Sequence, residues 1–372
     1  KVTKNLRHCW RSLQTLVILQ AMSRRLFIII VSLFALISLP QPASGLSLNL
    51  DSIAAWGKFP RFCVNTYRWG DKFFNGYDTT FVVGTGYKFS AKITTNSWTD
   101  GYRFELPDNK YIFMSSEPST SAGVYLTYLA VSAGYDINIS KLFGSASQSR
   151  KRWRFGFNCM LFAAEAYYMR NDASTRIRRF GDRNDSPRYN IPFHGIDNTT
   201  WGIDAYYFFN HKRYSEAASF NYSRIQRRSQ GAFFTGFSIY TQKLNFDFRG
   251  LPPELIMQLP PAWKDYSYRV HTHNYAVRIG YGYNWVFHPR WVLGVSESPI
   301  IGVRKGYVNS DMEKVSFSMY NRLKLSLVWN RDRWFFGASG NFNVAVVNEK
   351  KTTYAGGDLS GEIVFGCRFN IW

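Results

Sequence analysis

Cysteine is scarce in this chain of 372 residues, which holds only Cys9, Cys63, Cys159 and Cys367. They are far apart and form no CxxC pair, so neither a zinc site nor a dense disulfide framework is encoded. At most one disulfide is compatible with this spacing, and only in an oxidising compartment. Charge is also sparse, at 19% of residues, and no acidic residue precedes Asp51. Beyond Leu46 no apolar run approaches the roughly 18 residues that mark a membrane helix. With a mean hydropathy of -0.26, a helical membrane bundle is excluded, whereas a barrel needs only alternate residues to meet lipid.

The residues before Asp51 carry a leader pattern. From Met22 the chain reads Met-Ser-Arg-Arg, then an apolar run from Leu26 to Leu39, then Pro-Gln-Pro-Ala-Ser-Gly. A cationic start, a short apolar core and small residues near the end predict a secretory signal peptide over 22–45, cleaved between Gly45 and Leu46. The run is too short to span a bilayer. Residues 1–21 read as an over-extended gene start. Removing the six basic residues of 1–45 takes the formal charge from +21 to +15. No finger, helix-turn-helix or RNA-binding signature accompanies that charge, so nucleic acid is excluded as a partner. Phosphate-bearing lipid and lipopolysaccharide are the expected counter-charge.

Aromatic residues are abundant, with 24 Tyr, 31 Phe and 12 Trp, and they recur at every second position. Phe89, Ala91 and Ile93 share one face while Ser90, Lys92 and Thr94 share the other. The same period appears at Val131 to Ile139, Trp153 to Leu161, Leu323 to Trp329 and Ile363 to Ile371, and this is the strand signature. It predicts an all-β fold, an antiparallel transmembrane β-barrel of about twelve strands within a range of ten to fourteen. The expected segments are 81–97, 101–115, 121–139, 152–170, 199–211, 215–226, 231–245, 266–287, 290–304, 313–330, 333–347 and 358–371. The alternation of 121–139 breaks near Leu129, which predicts a bulge or a tight turn. The polar stretch 171–198 is expected to be a loop. Residues 46–80 are expected to be a periplasmic segment, with the barrel in 81–372 and short turns at its periplasmic end. Clusters such as Tyr167-Tyr168, Tyr206 to Phe209 and Trp334 to Phe336 suit interfacial girdles. The last residue, Trp372, resembles the aromatic ending by which such barrels are recognised for insertion, which implies the barrel-assembly machinery as a partner.

The run from Asp204 through Tyr206-Tyr207-Phe208-Phe209-Asn210-His211-Lys212-Arg213-Tyr214-Ser215-Glu216 to Phe220 resembles the central motif of the family called domain of unknown function 4421. Arg227 to Phe233 and Gly280 to Trp285 resemble later stretches of it. The resemblance covers most of residues 60–372. It implies an exported outer-membrane barrel of the Bacteroides group and carries no activity, cofactor or catalytic residue.

Candidate chemistry is thin. His271 and His273, two apart, share one face of a strand and are read as a weak metal pair or as polar lumen residues. Neither acidic residue nor third imidazole lies near them in sequence. A lipid hydrolase or acyltransferase would need a serine with a histidine base. No His-x-Ser occurs, and His211 with Tyr214 and Ser215 is the nearest approach. Gly280, Gly282, Gly294 and Gly302 alternate with aromatics, where glycine relieves crowding rather than binding phosphate. Arg178, Arg179, Arg227 and Arg228, like Arg150-Lys151-Arg152, are candidate contacts to lipid phosphate or to a solute in the lumen. The reading is an outer-membrane barrel acting as a passive channel or scaffold, without cofactor or metal. Its rival is an embedded lipid hydrolase or acyltransferase acting on phospholipid or lipopolysaccharide.

Overall fold

A computed structural model describes residues 55, 57–106, 109–128, 131–140, 150–171, 175–182, 187–193, 196–259, 264, 267–306, 315–348 and 353–370. The leader with its expected cleavage at Gly45 and Leu46, and Trp372, lie outside them. Helix α1 (Lys58–Asn75) occupies much of the segment expected to be periplasmic. The chain divides at residue 67, inside that helix, and the unit 68–371 holds every described strand.

The strands run in chain order as β1 (Val82–Gly84), β2 (Phe89–Glu105), β3 (Lys110–Ser116), β4 (Ser119–Tyr128), β5 (Val131–Asn138), β6 (Arg150–Asn158), β7 (Phe162–Asn171), β8 (Thr175–Asp182) and β9 (Arg188–Phe193). They continue as β10 (Ile196–Phe208), β11 (Arg224–Gln226), β12 (Gln230–Asp247), β13 (Ser267–His288), β14 (Trp291–Gly306), β15 (Val315–Arg331), β16 (Trp334–Asn348) and β17 (Thr353–Phe369). Twelve of these close a ring in the order β2, β4, β5, β6, β7, β10, β12, β13, β14, β15, β16, β17, and β17 returns to β2 from Tyr354 opposite Phe104 to Phe369 opposite Phe89. All neighbours are antiparallel. Closure leaves the twelve-strand ring without a free edge, the condition for a sheet to cross hydrocarbon.

The alternation sorts side chains between two environments. On β13, Tyr275, Val277, Ile279, Tyr281, Tyr283 and Trp285 point outward and are exposed, while Asn274, Ala276, Arg278 and Asn284 point inward and are buried. That outward apolar stretch matches the ~9–11 residues a tilted strand needs to cross a bilayer. A one-residue slip would turn Arg278 into lipid, so the register is strongly fixed. The turns 159–161, 289–290 and 332–333 join strands at one end of the ring, where β2 begins and β17 ends. This is the short-turn end of the barrel. Aromatic pairs ring it, including Trp334–Phe365 at 5.4 Å, Trp285–Phe287 at 5.5 Å and Phe89–Phe369 at 5.8 Å between ring centres.

The count of twelve agrees with the sequence reading, but the strands differ in five places. Segments 81–97 and 101–115 were expected as separate strands. Instead β2 runs unbroken from Phe89 to Glu105, and its upper part pairs with β3 where β4 leaves it. Segment 121–139 is two strands, β4 ending at Tyr128 and β5 starting opposite it at Val131, and the expected phase break at Leu129 lies outside the described residues. Segment 152–170 is likewise two, because Cys159 to Leu161 make a tight turn closed by the Cys159 amide on the Phe162 carbonyl at 3.0 Å. Segment 215–226 is not a wall strand at all and folds into the lumen. Finally, the expected loop 171–198 contains β8 and β9, which extend β3 as a small sheet beyond the barrel. Alternation is local and cannot tell a membrane strand from an extramembrane one. Beyond the outer rim, Phe104, Ile112, Met114, Phe180, Phe193 and Phe246 form an apolar core under this extension. Cys159 and Cys367 are free thiols.

Outward polar residues interrupt the band on β14 and β15. Glu297 sits on β14 between Ser296 and Ser298, exposed, opposite Tyr281 and Leu323, with Asn321 donating to its carboxylate at 3.1 Å. A polar group facing hydrocarbon costs stability that depends on its depth. Glu297→Leu is expected to raise barrel stability in lipid by ~1 kcal/mol or more, read as a higher urea midpoint of vesicle-inserted protein. A lower midpoint would show that Glu297 is not lipid-facing.

Candidate functional site in the barrel lumen

The register that keeps lipid-facing positions apolar sends most wall charges inward, where they pair across the ring. Asp204 on β10 accepts from Arg322 Nη1 at 3.2 Å and from the Tyr206 hydroxyl at 3.0 Å, and Arg278 Nη2 lies 3.7 Å away. The Tyr206 hydroxyl accepts from Arg278 Nη1 at 2.8 Å. Arg322 Nε donates to Asn343 at 2.8 Å, and Asn343 donates to Asp358 at 2.8 Å. Five strands are thereby tied through one polar network. A second group joins Arg154 to Glu362 at 3.3 Å and to the Tyr125 hydroxyl at 3.2 Å, which itself donates to Asp136 at 2.6 Å. Lys92 lies over the Tyr125 ring. Arg304 Nε donates to the Tyr320 hydroxyl at 2.9 Å.

All of these residues except Asp136 line a cavity of about 480 Å³. Its charges are segregated. Among the described residues, β13, β14 and β15 turn inward Arg278, Arg304, Arg322 and Lys324 and no carboxylate. The lining carboxylates of the wall, Asp100, Glu165, Asp204, Asp358 and Glu362, come from other strands. The lumen therefore presents a cationic wall facing mixed and acidic ones, and a field runs across it.

The mouth at the short-turn end is filled by the connection between β10 and β12, residues 209–229. This segment turns inward instead of crossing to its partner directly. It carries helix α2 (Glu216–Phe220) and β11, which pairs with β1. Tyr214, Ala217, Ala218, Ser219 and Tyr222 are buried. Glycines on the wall make the room: a Cβ on Gly294 would stand 2.6 Å from the Ser219 Cβ, and Cβ atoms on Gly282 and Gly337 would collide with the rings of Tyr214 and Tyr222. Asn284 on β13 holds the plug through the Ser215 carbonyl at 2.8 Å and the Ser219 hydroxyl at 2.6 Å. Gln226 gathers the carbonyls of Arg213 and Arg228 at 2.7 and 3.0 Å. Glu216 reaches Lys324 at 2.7 Å and accepts from Asn158 at 2.9 Å. At the far end Arg368 grips the Tyr222 carbonyl at 2.6 Å. Burial pushes the Tyr214 phenol well above its ordinary range, so the plug presents it neutral.

The residues singled out from sequence lie elsewhere. His271 and His273 point outward from β13, not into the lumen, because they share the phase of Tyr275. They bond to Asn245 at 3.0 Å and Thr241 at 2.9 Å, and no trio of metal-ligating side chains assembles among the described residues. His211 sits in the turn after β10, where burial lowers its pKa. Its Nδ1 and the Ser215 hydroxyl are each buried without a partner, so the two form no nucleophile–base pair. Arg178 on β8 binds Ser115 at 2.9 Å and Asn190 at 2.6 Å, and Arg179 is exposed beside it. Arg227 reaches the Thr79 carbonyl at 3.4 Å and Arg228 lies over Phe81. None of these four lines the cavity. The side chains of Arg150, Lys151 and Arg152 are outside the described set. Sequence reasoning missed the plug, although Ser215-Glu216-Ala217-Ala218 is a plausible helix start, and it missed the pairing of the inward arginines.

A closed antiparallel ring with an outward apolar band, aromatic girdle and charged lumen defines an outer-membrane β-barrel protein. The chain belongs to the family described as Domain of unknown function (DUF4421), whose model matches residues 76–369. The matched stretch includes both the Asp204 network and the plug. No curated protein matches the chain in sequence. In structure it is similar to the outer membrane protease OmpT from Escherichia coli, at 6% identity and a TM-score of 0.32 over 76% of this chain and 96% of that one. It is also similar to the P. putida toluene transporter TodX, at 7% identity and a TM-score of 0.26 over 77% and 91%. A third is the translocator domain of the autotransporter NalP from Neisseria meningitidis, at 10% and 0.34 over 75% and 88%. At such identities the likeness concerns the barrel alone.

Proposed function

We propose that the protein is a plugged passive channel for small polar solutes bearing both charges. The observation that carries this reading is the cavity of about 480 Å³, lined by opposed charges and stopped at its periplasmic mouth by a segment of the chain itself. A lumen meant only to be filled would need no segregated arginines, since buried ion pairs give little net stability over packed apolar groups. In a conduit the same charges replace hydration of a passing solute and set which sign is favoured. A zwitterion would orient with its anionic group toward β13–β15. The reading assigns no catalytic residue and no cofactor.

The test is conductance in planar bilayers. Wild-type protein is expected to be closed most of the time. Replacing residues 214–222 by a short Gly-Ser linker should give frequent discrete steps. A plug-deleted barrel that is folded yet silent at every voltage would end the channel reading and leave a scaffold.

A further inference from the structure

We propose that the outer face of β12, β13 and β14, at the extracellular edge of the hydrocarbon band, binds the phosphate of an outer-leaflet glycolipid of the lipopolysaccharide kind. Four side chains compose the site. Lys243 on β12 stands opposite His271, and Lys305 on β14 stands opposite His273. His271 and His273 are two apart on β13, so all four point outward as one patch. Both lysines are exposed. With strands ~4.8 Å apart and the pairs offset by two residues, the lysine Cα atoms lie about 12 Å apart. Two such stems can converge on one phosphate. The Asn245 and Thr241 side chains hold the two imidazoles at 3.0 and 2.9 Å, which fixes the floor of the patch.

Height identifies the ligand. The apolar band on β13 begins at Tyr275, directly below His273, and on β14 at Val303, directly below Lys305. Counting from Trp285, about ten residues cross the ~25 Å band and arrive at Tyr275. The cations therefore stand at head-group level, with Tyr275, Val277 and Ile301 beneath them exposed for acyl chains. A free ion would use the lysines alone, whereas a lipid uses both layers. The end concerned bears the connections 248–266 and 307–314, opposite the short turns, and so faces outward.

The experiment measures binding of the full chain, in detergent, to phosphorylated lipid A and to the same lipid with its phosphates removed. Wild-type protein is expected to bind the phosphorylated form about tenfold or more tightly. Lys243→Gln with Lys305→Gln should erase that preference, while Arg227→Gln with Arg228→Gln, at the periplasmic rim, should leave it intact. Millimolar inorganic phosphate should not compete. Equal binding of the two lipids by wild-type protein, equal loss in both double variants, or displacement by inorganic phosphate would each overturn the proposal. The first arm uses unaltered protein, so it does not depend on any variant folding.

Discussion

Arg368→Met is expected to cost the folded barrel ~3 kcal/mol. Arg368 is 2% exposed near the end of the last strand. It donates to the Tyr222 carbonyl at 2.6 Å, the Asn330 side chain at 2.6 Å and the Asp332 carbonyl at 3.2 Å, and its guanidinium lies over the Phe335 ring. Methionine fills much of the same volume but leaves three acceptors without a donor, and buried acceptors retain their full desolvation cost. The loss is shared between wall and plug, because Tyr222 belongs to the plug and stacks on Phe335 at 5.1 Å. Arg368→Lys keeps the charge but not the fork, and should lose less. The guanidinium chloride midpoint of detergent-folded protein, followed by the heat-dependent gel shift, reads the difference. Equal midpoints for Arg and Met would show that the anchor carries no weight.

Asp204→Asn should be of similar size, ~3 kcal/mol or more. The amide preserves the shape and the Tyr206 contact but withdraws the negative charge facing Arg278 and Arg322. Asp204 and Arg278 are buried, at 4% and 3% side-chain exposure, while Arg322 at 30% is partly relieved by water. Two guanidiniums without their carboxylate repel each other in a low-dielectric lumen. Adding Arg278→Gln to Asp204→Asn should restore part of the loss, a non-additivity expected only of groups in one network. A double variant no more stable than the single one would place the arginines outside each other's reach. The same single variant, with its plug removed, should shift conductance toward anions.

How much of this was legible in the chain varies by element. The face on which Ile93, Tyr275, Leu325 and Ile363 lie was readable, since period-two alternation is a property of neighbours. The plug was not, because Tyr214 to Tyr222 is apolar enough to pass for a wall strand, and only the glycines opposite it make the lumen wide enough to receive it. Neither a metal pair nor a place in the lumen fits His271 and His273, and their outward position is legible in the chain, since the phase of Tyr275 and Val277 already puts them outside.

The sequence by itself determined a closed barrel, the direction of its side chains and the apolar band, because each follows from alternation and the demand that backbone groups be satisfied in hydrocarbon. Tertiary structure alone decided which inward charges meet and what stops the mouth. Arg154 and Glu362 are 208 residues apart, and Asp204 and Arg322 are 118 apart. Such pairs depend on the stagger with which twelve strands close, and no local pattern encodes that stagger.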